Sequence, residues 1–180
     1  MGPCMPDPDV PRNPAPLIVT AWLDEASFAW FNDLRRAHFP PARNLVPAHV
    51  TLFHHLPGDR EAEVLSVIRA ASARRAPFPL AVRGPWSLGR GVAYRLDAGE
   101  LALVRAELAA AFAPWLTPQD RTGFRPHVTV QNKVEPVQAR TLLEALQHAF
   151  EPFEATCEGL LVWRYLGGPW APAARIPFTG

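Results

Sequence analysis

Pro47-Ala48-His49-Val50-Thr51-Leu52 and Arg125-Pro126-His127-Val128-Thr129-Val130 are two versions of one pattern, their histidines offset by 78 residues. In each, a His-x-Thr tripeptide alternates with apolar residues, the period of a strand that buries one face. His and Thr therefore share a face in each copy. A proline stands just upstream, a residue found where strands begin and seldom inside them. With six His and eight Thr in 180 residues, a random order would give only about 0.3 such tripeptides, so two copies in matching apolar context stand well above background.

Working outward, Leu17 to Leu23 is an apolar run of strand length, and Asp24 is a good N-cap for a helix over 25–38. Phe28, Phe31, Leu34 and Arg35 keep helical spacing there. A loop with Pro40, Pro41 and Pro47 delivers the chain to the first motif strand, which runs on to Leu56 before a Pro57-Gly58 turn. Asp59 is expected to cap a second helix, with Val64, Leu65 and Ile68 on one face, ending before Pro77. Strands over 78–83 and 91–96 follow, joined by a turn containing Gly89 and Gly91. Leu101, Val104, Leu108 and Phe112 then return to the helical period.

A polar loop over 117–124 leads to the second motif strand, and Pro136 opens a fourth helix through about His148. A strand over 153–165, a turn at 167–169 and a last strand near 175–178 complete the chain. Strand, helix, motif strand and helix thus occur once in each half, which reads as an internal duplication. The expected fold is α+β and bilobal: two antiparallel sheets related by a pseudo-twofold axis, helices on the outer faces, and a central cleft across which the motif strands meet. Residues 1–16, with six prolines and little that can pack, are expected to be a flexible leader. Residues 17–180 are expected to form a single bilobal domain.

Composition narrows the function classes. With 48% apolar residues the chain can build a sizeable core, and its net charge of +1 gives no global pull toward nucleic acid or membrane. Any polyanion must be held by a local patch. Lys133 is the only lysine among 18 basic residues, so arginine as such carries little information and its placement carries more. Cys4 and Cys157 are too few for a disulfide framework and lack metal-site spacing. There is neither a membrane-length apolar run nor a signal-peptide pattern, so the expected setting is cytoplasmic, with no membrane association. Nothing demands an oligomer, and a monomer is expected.

Two imidazoles can hold one neutral ring as base and one protonated ring as acid in the same pocket, the division of labour that displacement at phosphorus needs. A Thr hydroxyl two residues along each strand can donate to a non-bridging phosphate oxygen. His49 and His127 are therefore the catalytic candidates, and Thr51 and Thr129 the phosphate-binding ones. Two His do not make the three-ligand set of catalytic zinc. The chemistry is expected to be metal-independent and to use no cofactor.

The paired His-x-Thr strands resemble the 2H phosphoesterase superfamily, in particular the bacterial proteins called the 2′-5′ RNA ligase family, over residues 17–178. The resemblance implies a bilobal α+β fold and hydrolysis of 2′,3′-cyclic phosphates or processing of 2′-5′ phosphodiester linkages. The partner it implies is an RNA end or a small nucleotide bearing one of those groups. It carries the acid and base onto His49 and His127 and phosphate binding onto Thr51 and Thr129. One departure is Asn132, where relatives often have arginine; strand alternation places Gln131 and Lys133, not Asn132, on the face of His127 and Thr129. Lys133 is therefore a candidate for the missing positive charge.

Phe53, next along the motif face, and Tyr94 and Trp86 in the middle segment are candidates for stacking on a base, against a competing role in the core. By alternation His55 shares the face of His49 and His54 points away, and both are expected to be structural or exposed. His38 and His148 sit near helix ends, where the dipole favours them. Arg125 is a second candidate for attracting phosphate, and nothing local selects Arg95 or Arg164. A rival reading is a non-catalytic binding module for RNA ends or nucleotide phosphates. A purely structural reading predicts that His49 and His127 lie far apart.

Overall fold

In the computed structural model, which describes residues 14–180, antiparallel strands and helices alternate in the expected order. Strand β1 is Leu17–Leu23, helix α1 is Glu25–His38, and β2 is Thr51–Leu56. Helix α2 is Glu61–Ser72, strands β3 and β4 are Phe78–Ser87 and Val92–Leu96, and α3 is Gly99–Ala111. A short α4, Pro118–Arg121, precedes β5, His127–Gln131; α5, Pro136–Ala149, precedes β6, Phe153–Tyr165, and β7, Trp170–Pro177. The expected leader lies mostly outside the described residues, and its last member, Pro16, accepts a 2.8 Å hydrogen bond from the Tyr165 N–H. Among the described residues no helix is long and apolar enough to cross a membrane.

Local chemistry explains most boundaries. Asp24 caps α1 through Ser27 N–H at 2.9 Å, and Glu135 with Gln138 forms a capping box ahead of Pro136 at the start of α5. Asp59 does not cap α2, because Gly58–Arg60 form a 3₁₀ turn that consumes it first.

The strands form one seven-stranded sheet in the order β2-β1-β6-β3-β4-β5, with β7 also on β6. The two expected sheets are joined because β6, 13 residues long, belongs to both halves. Its Cys157 pairs with Leu23 of β1 on one side and Phe78 of β3 on the other, and β7 continues the line of β3 from Gly159 onward. The motif strands are consequently the two ends of the sheet. Cross-strand partners share a face, and the register puts Thr51 with Thr20 and Leu161, and Thr129 with Ala93 and Trp86. That face bears the motifs. The other buries Leu17, Val19, Leu80, Val82, Ala155, Cys157 and Val162, each no more than 1% exposed, in the main core.

Two buried arginines tie the ends of the sheet to helices of the opposite half. Arg35 of α1, 4% exposed, donates from one terminal nitrogen to the Thr129 carbonyl of β5 at 2.8 Å, and its Nε reaches Asn44 Oδ1 and the Val46 carbonyl at 2.9 and 3.1 Å. Arg105 of α3, 8% exposed, donates from Nε to the Leu52 carbonyl of β2 at 2.8 Å and from a terminal nitrogen to the Asp120 carbonyl. Phe39 and Phe53 pack under the two guanidinium groups at 4.1 and 4.2 Å. Asp120, 2% exposed, takes the free edge of β2: its carboxylate accepts from His54 N–H at 2.9 Å, from His55 N–H at 3.0 Å and from His54 Nδ1 at 2.8 Å. Edge donors that would otherwise lack partners are thus satisfied by a side chain.

These groups make two stability predictions. Arg35→Met leaves the Thr129 and Val46 carbonyls without their donor, and urea unfolding should show a loss of about 3 kcal/mol; a loss below about 1 kcal/mol would contradict the bracing role. Burial raises the Asp120 pKa, but the bonds from the His54 ring and from the His54 and His55 N–H groups outweigh it and hold it below the ordinary 3.8. A lowered carboxylate pKa stabilises the fold above the unfolded value and ceases to do so as the pH drops through the folded one. Asp120→Asn turns an amide donor toward those N–H groups, so it should cost about 1–3 kcal/mol at pH 7. Its deficit should shrink on acidification below pH 4, and a pH-independent difference would refute the assignment.

Candidate active site

The two ends of the sheet line a single cleft of about 370 Å³, in which His49, Thr51, His127 and Thr129 all take part. The expected meeting of the motif strands is therefore present, although β2 begins only at Thr51 and His49 lies on the extended segment before it. That segment is held to the sheet by the Ala21 N–H, which donates to the Val50 carbonyl at 2.9 Å. Val50, Leu52, Val128 and Val130 are all at most 2% exposed, and burying them pushes the intervening polar side chains outward.

The histidines are held in the same way. His49 Nδ1 lies 2.8 Å from the Pro47 carbonyl, and His127 Nδ1 lies 2.8 Å from the Arg125 carbonyl. A carbonyl only accepts, so Nδ1 carries the hydrogen in both rings and each Nε2 is left for proton exchange. The Trp170 ring packs against His49 with centroids 4.7 Å apart, and Trp86 meets His127 edge-on at 6.4 Å. Burial pushes His49 down to about 4; the Pro47 carbonyl opposes this, while the charges of Arg35, His127 and His54 add to it. At neutral pH His49 is an uncharged ring with a free lone pair.

The remaining sequence candidates divide. Arg125 lines the cleft. Lys133 is exposed in the turn after β5 at φ 60° and is not among the residues lining the cleft, whereas Arg105 and Arg125 are. Phe53 is fully buried against Phe112, 5.4 Å away, and Tyr94 is buried among Trp30, Phe31 and Phe150; neither reaches the cleft. Simple alternation fails at Phe53 because the register with β1 slips between Thr51 and Phe53 and again before Leu56. For the same reason His54, expected to face away, lines the cleft with its ring on Asp120.

Sequence reasoning missed Arg105, Asp120 and Trp170, and read Arg35 only as part of a helical stripe. The usable signal was an arginine inside each apolar stripe, beside Phe31 and Leu34 in α1 and beside Leu101, Val104 and Leu108 in α3. A charged residue at a core position needs partners. Among the described residues, no group of three or more His, Cys, Asp or Glu is placed to hold a metal ion.

The fold has several solved counterparts. The structure of TT0787 of Thermus thermophilus superposes with a TM-score of 0.64 at 17% identity, covering 92% of this chain and 98% of that one. That of E. coli LigT complexed with 3′-AMP gives 0.61 at 20% identity, covering 93% and 99%. A structure described as a phosphoesterase gives 0.58 at 20% identity, covering 93% and 99%. Likeness at these identities speaks to the fold. By sequence, no curated protein matches the chain. The family profile of the 2′-5′ RNA ligase superfamily, however, matches residues 23–169, a span that contains both His-x-Thr motifs and the two arginine braces. On that match this chain belongs to the 2′-5′ RNA ligase superfamily.

Proposed function

We propose that the protein is a metal-independent phosphoesterase that opens 2′,3′-cyclic phosphates or processes 2′-5′ phosphodiester linkages in RNA or small nucleotides. Membership of the superfamily supports a phosphoesterase or RNA-ligase-like activity. The observation that carries the finer reading is the convergence of two identically tethered histidines, each with its threonine, on one cleft of about 370 Å³. That E. coli LigT, similar in fold, was solved in complex with 3′-AMP supports a nucleotide as the kind of molecule bound.

In this reading the phosphate lies between the rings. His49, neutral at pH 7, takes the proton of the attacking water at Nε2 while the new P–O bond forms. His127 gives its Nε2 proton to the ribose oxygen as the old P–O bond breaks. Thr51 and Thr129 donate hydrogen bonds to the non-bridging oxygens, whose charge persists through the transition state. Each Nδ1 tether keeps its ring aimed at the phosphorus without a carboxylate partner, and one substrate turnover exchanges the two protonation states. A ribose hydroxyl in place of water runs the same step as ligation.

The test is hydrolysis of nucleoside 2′,3′-cyclic phosphates and of 2′-5′ dinucleotides in EDTA. His49→Ala and His127→Ala should each lower kcat/KM by about 10²–10⁴, and the double variant should be scarcely worse than either, because the two act as a unit. Full activity in either single variant, or no turnover of any such substrate by the wild type, would reject the proposal. The pH profile adds a separate check. A base held near 4 keeps kcat/KM high down to about that pH, below which the ring becomes charged and activity falls. Trp170→Ala opens the His49 ring to water, so the acid limb should move up toward the ordinary 6.5; an unmoved limb would mean that another group titrates there.

A further inference from the structure

Three imidazoles, not two, line the cleft: His54 stands in its wall with His49 and His127. Its neighbour His55 is exposed and takes no part in that lining. The His54 ring is held differently from the other two. Its Nδ1 lies 2.8 Å from Oδ1 of Asp120, whose side chain is 1% exposed, while the His54 side chain is 47% exposed. Asp120 is held below the ordinary 3.8 despite its burial, so at neutral pH it is ionised and only accepts. The hydrogen therefore sits on Nδ1, and Nε2 is the nitrogen left without a protein partner among the described residues.

The ring is not needed to close the strand edge. Asp120 already accepts from the His54 and His55 N–H groups, bonds that any residue other than proline would offer at those positions. What the imidazole adds is a polar head in the cleft, and when Nε2 takes up a proton the carboxylate behind it balances the charge. That is the form able to donate to an anion. The surrounding groups suit the same class of ligand. Arg105, 8% exposed, spends Nε and one terminal nitrogen on the Leu52 and Asp120 carbonyls. It also lines the cleft, and its other terminal nitrogen has no acceptor among the described residues. The charged and titratable groups of the lining are His49, His54, His127, Arg105, Arg125 and Asp120. The single carboxylate among them is turned onto main-chain N–H groups and the His54 ring.

We propose that His54, oriented by Asp120, is a third substrate-contacting imidazole, which in its protonated form holds a phosphate oxygen together with Arg105. This rests on the phosphoesterase reading and adds a specificity-determining residue to its cleft. The phosphate held is the reacting one or a second one carried by the same reactant, and the two sources differ in their kinetics.

The experiment compares wild type with His54→Gln, which removes the ring and its charge and leaves the Asp120 bonds to the backbone N–H groups in place. The substrates are a nucleoside 2′,3′-cyclic phosphate and the same compound bearing a 5′-phosphate. Loss of one charged hydrogen bond should lower kcat/KM about tenfold, mainly through KM. A loss on both substrates assigns His54 to the reacting phosphate, and a loss confined to the 5′-phosphorylated compound assigns it to the second. The deficit should narrow at alkaline pH, where a neutral ring has no Nε2 proton to donate; His127 and the arginines are common to both proteins and cancel in the comparison. Unchanged kcat/KM on both substrates overturns the proposal, even where His54→Gln lowers stability, and so does a deficit that stays constant into alkaline pH. If wild type turns over neither substrate, the phosphoesterase reading fails by itself. Titration with inorganic phosphate, followed by NMR of the imidazole nitrogens, then decides the role of His54 alone. A moved His54 Nε2 resonance in wild type, with binding about tenfold weaker in His54→Gln, supports it, and equal binding by the two proteins removes it.

Discussion

The constraint on which the site depends is the reciprocal bracing of the two terminal strands by buried arginines. β2 and β5 are the two edges of the sheet, the least restrained positions a strand can occupy, yet His127 opens one and His49 stands just ahead of the other. Arg35 reaches from α1 to β5 and Arg105 from α3 to β2, so each motif strand is gripped by a helix from the other half. A buried guanidinium without acceptors would be costly, which is why both find main-chain carbonyls. Burial alone lowers the Arg35 pKa to about 10, still far above neutrality, so the brace stays charged under ordinary conditions. The same charge helps to keep His49 unprotonated.

The second constraint is the tether of each imidazole to its own backbone. Both rings donate to the carbonyl two residues upstream at 2.8 Å, a solution that needs no additional side chain and is repeated wherever the motif is repeated. It fixes the tautomer, and it leaves the environments of the two rings free to differ. Trp170 packs closely on His49, whereas Trp86 only meets His127 edge-on. Identical motifs thus sit in different surroundings, because asymmetry enters through their neighbours.

Much of this was legible in the sequence, and the exceptions have physical causes. The His-x-Thr repeat, the strands over 17–23 and 153–165 and the helix opened by Pro136 follow from short-range periodicity and capping, and the structure has them. Phe53 and His54 were misplaced because bulges in β2 shift its register against β1, and alternation cannot anticipate an inserted residue. The union of two expected sheets into one was hidden because pairing partners are chosen in three dimensions, and a 13-residue strand serves either arrangement. Lys133 was drawn in by the same parity rule, which ceases to apply once the strand ends at Gln131. Asp120 and Arg105 act on the backbone of β2 from 66 and 53 residues away, distances over which no local pattern speaks.

The shared strand β6 has a mechanical consequence. Because β6 pairs with β1 along one edge and with β3 and then β7 along the other, the two halves are joined by a sheet strand rather than by a linker among the described residues. The jaw is rigid. Drawing the two ends of the sheet closer would disturb ladder bonds on both sides of β6, so the spacing of the cleft walls is tied to strand geometry. Discrimination between reactants then falls to the walls of the gap, which strand geometry alone holds apart.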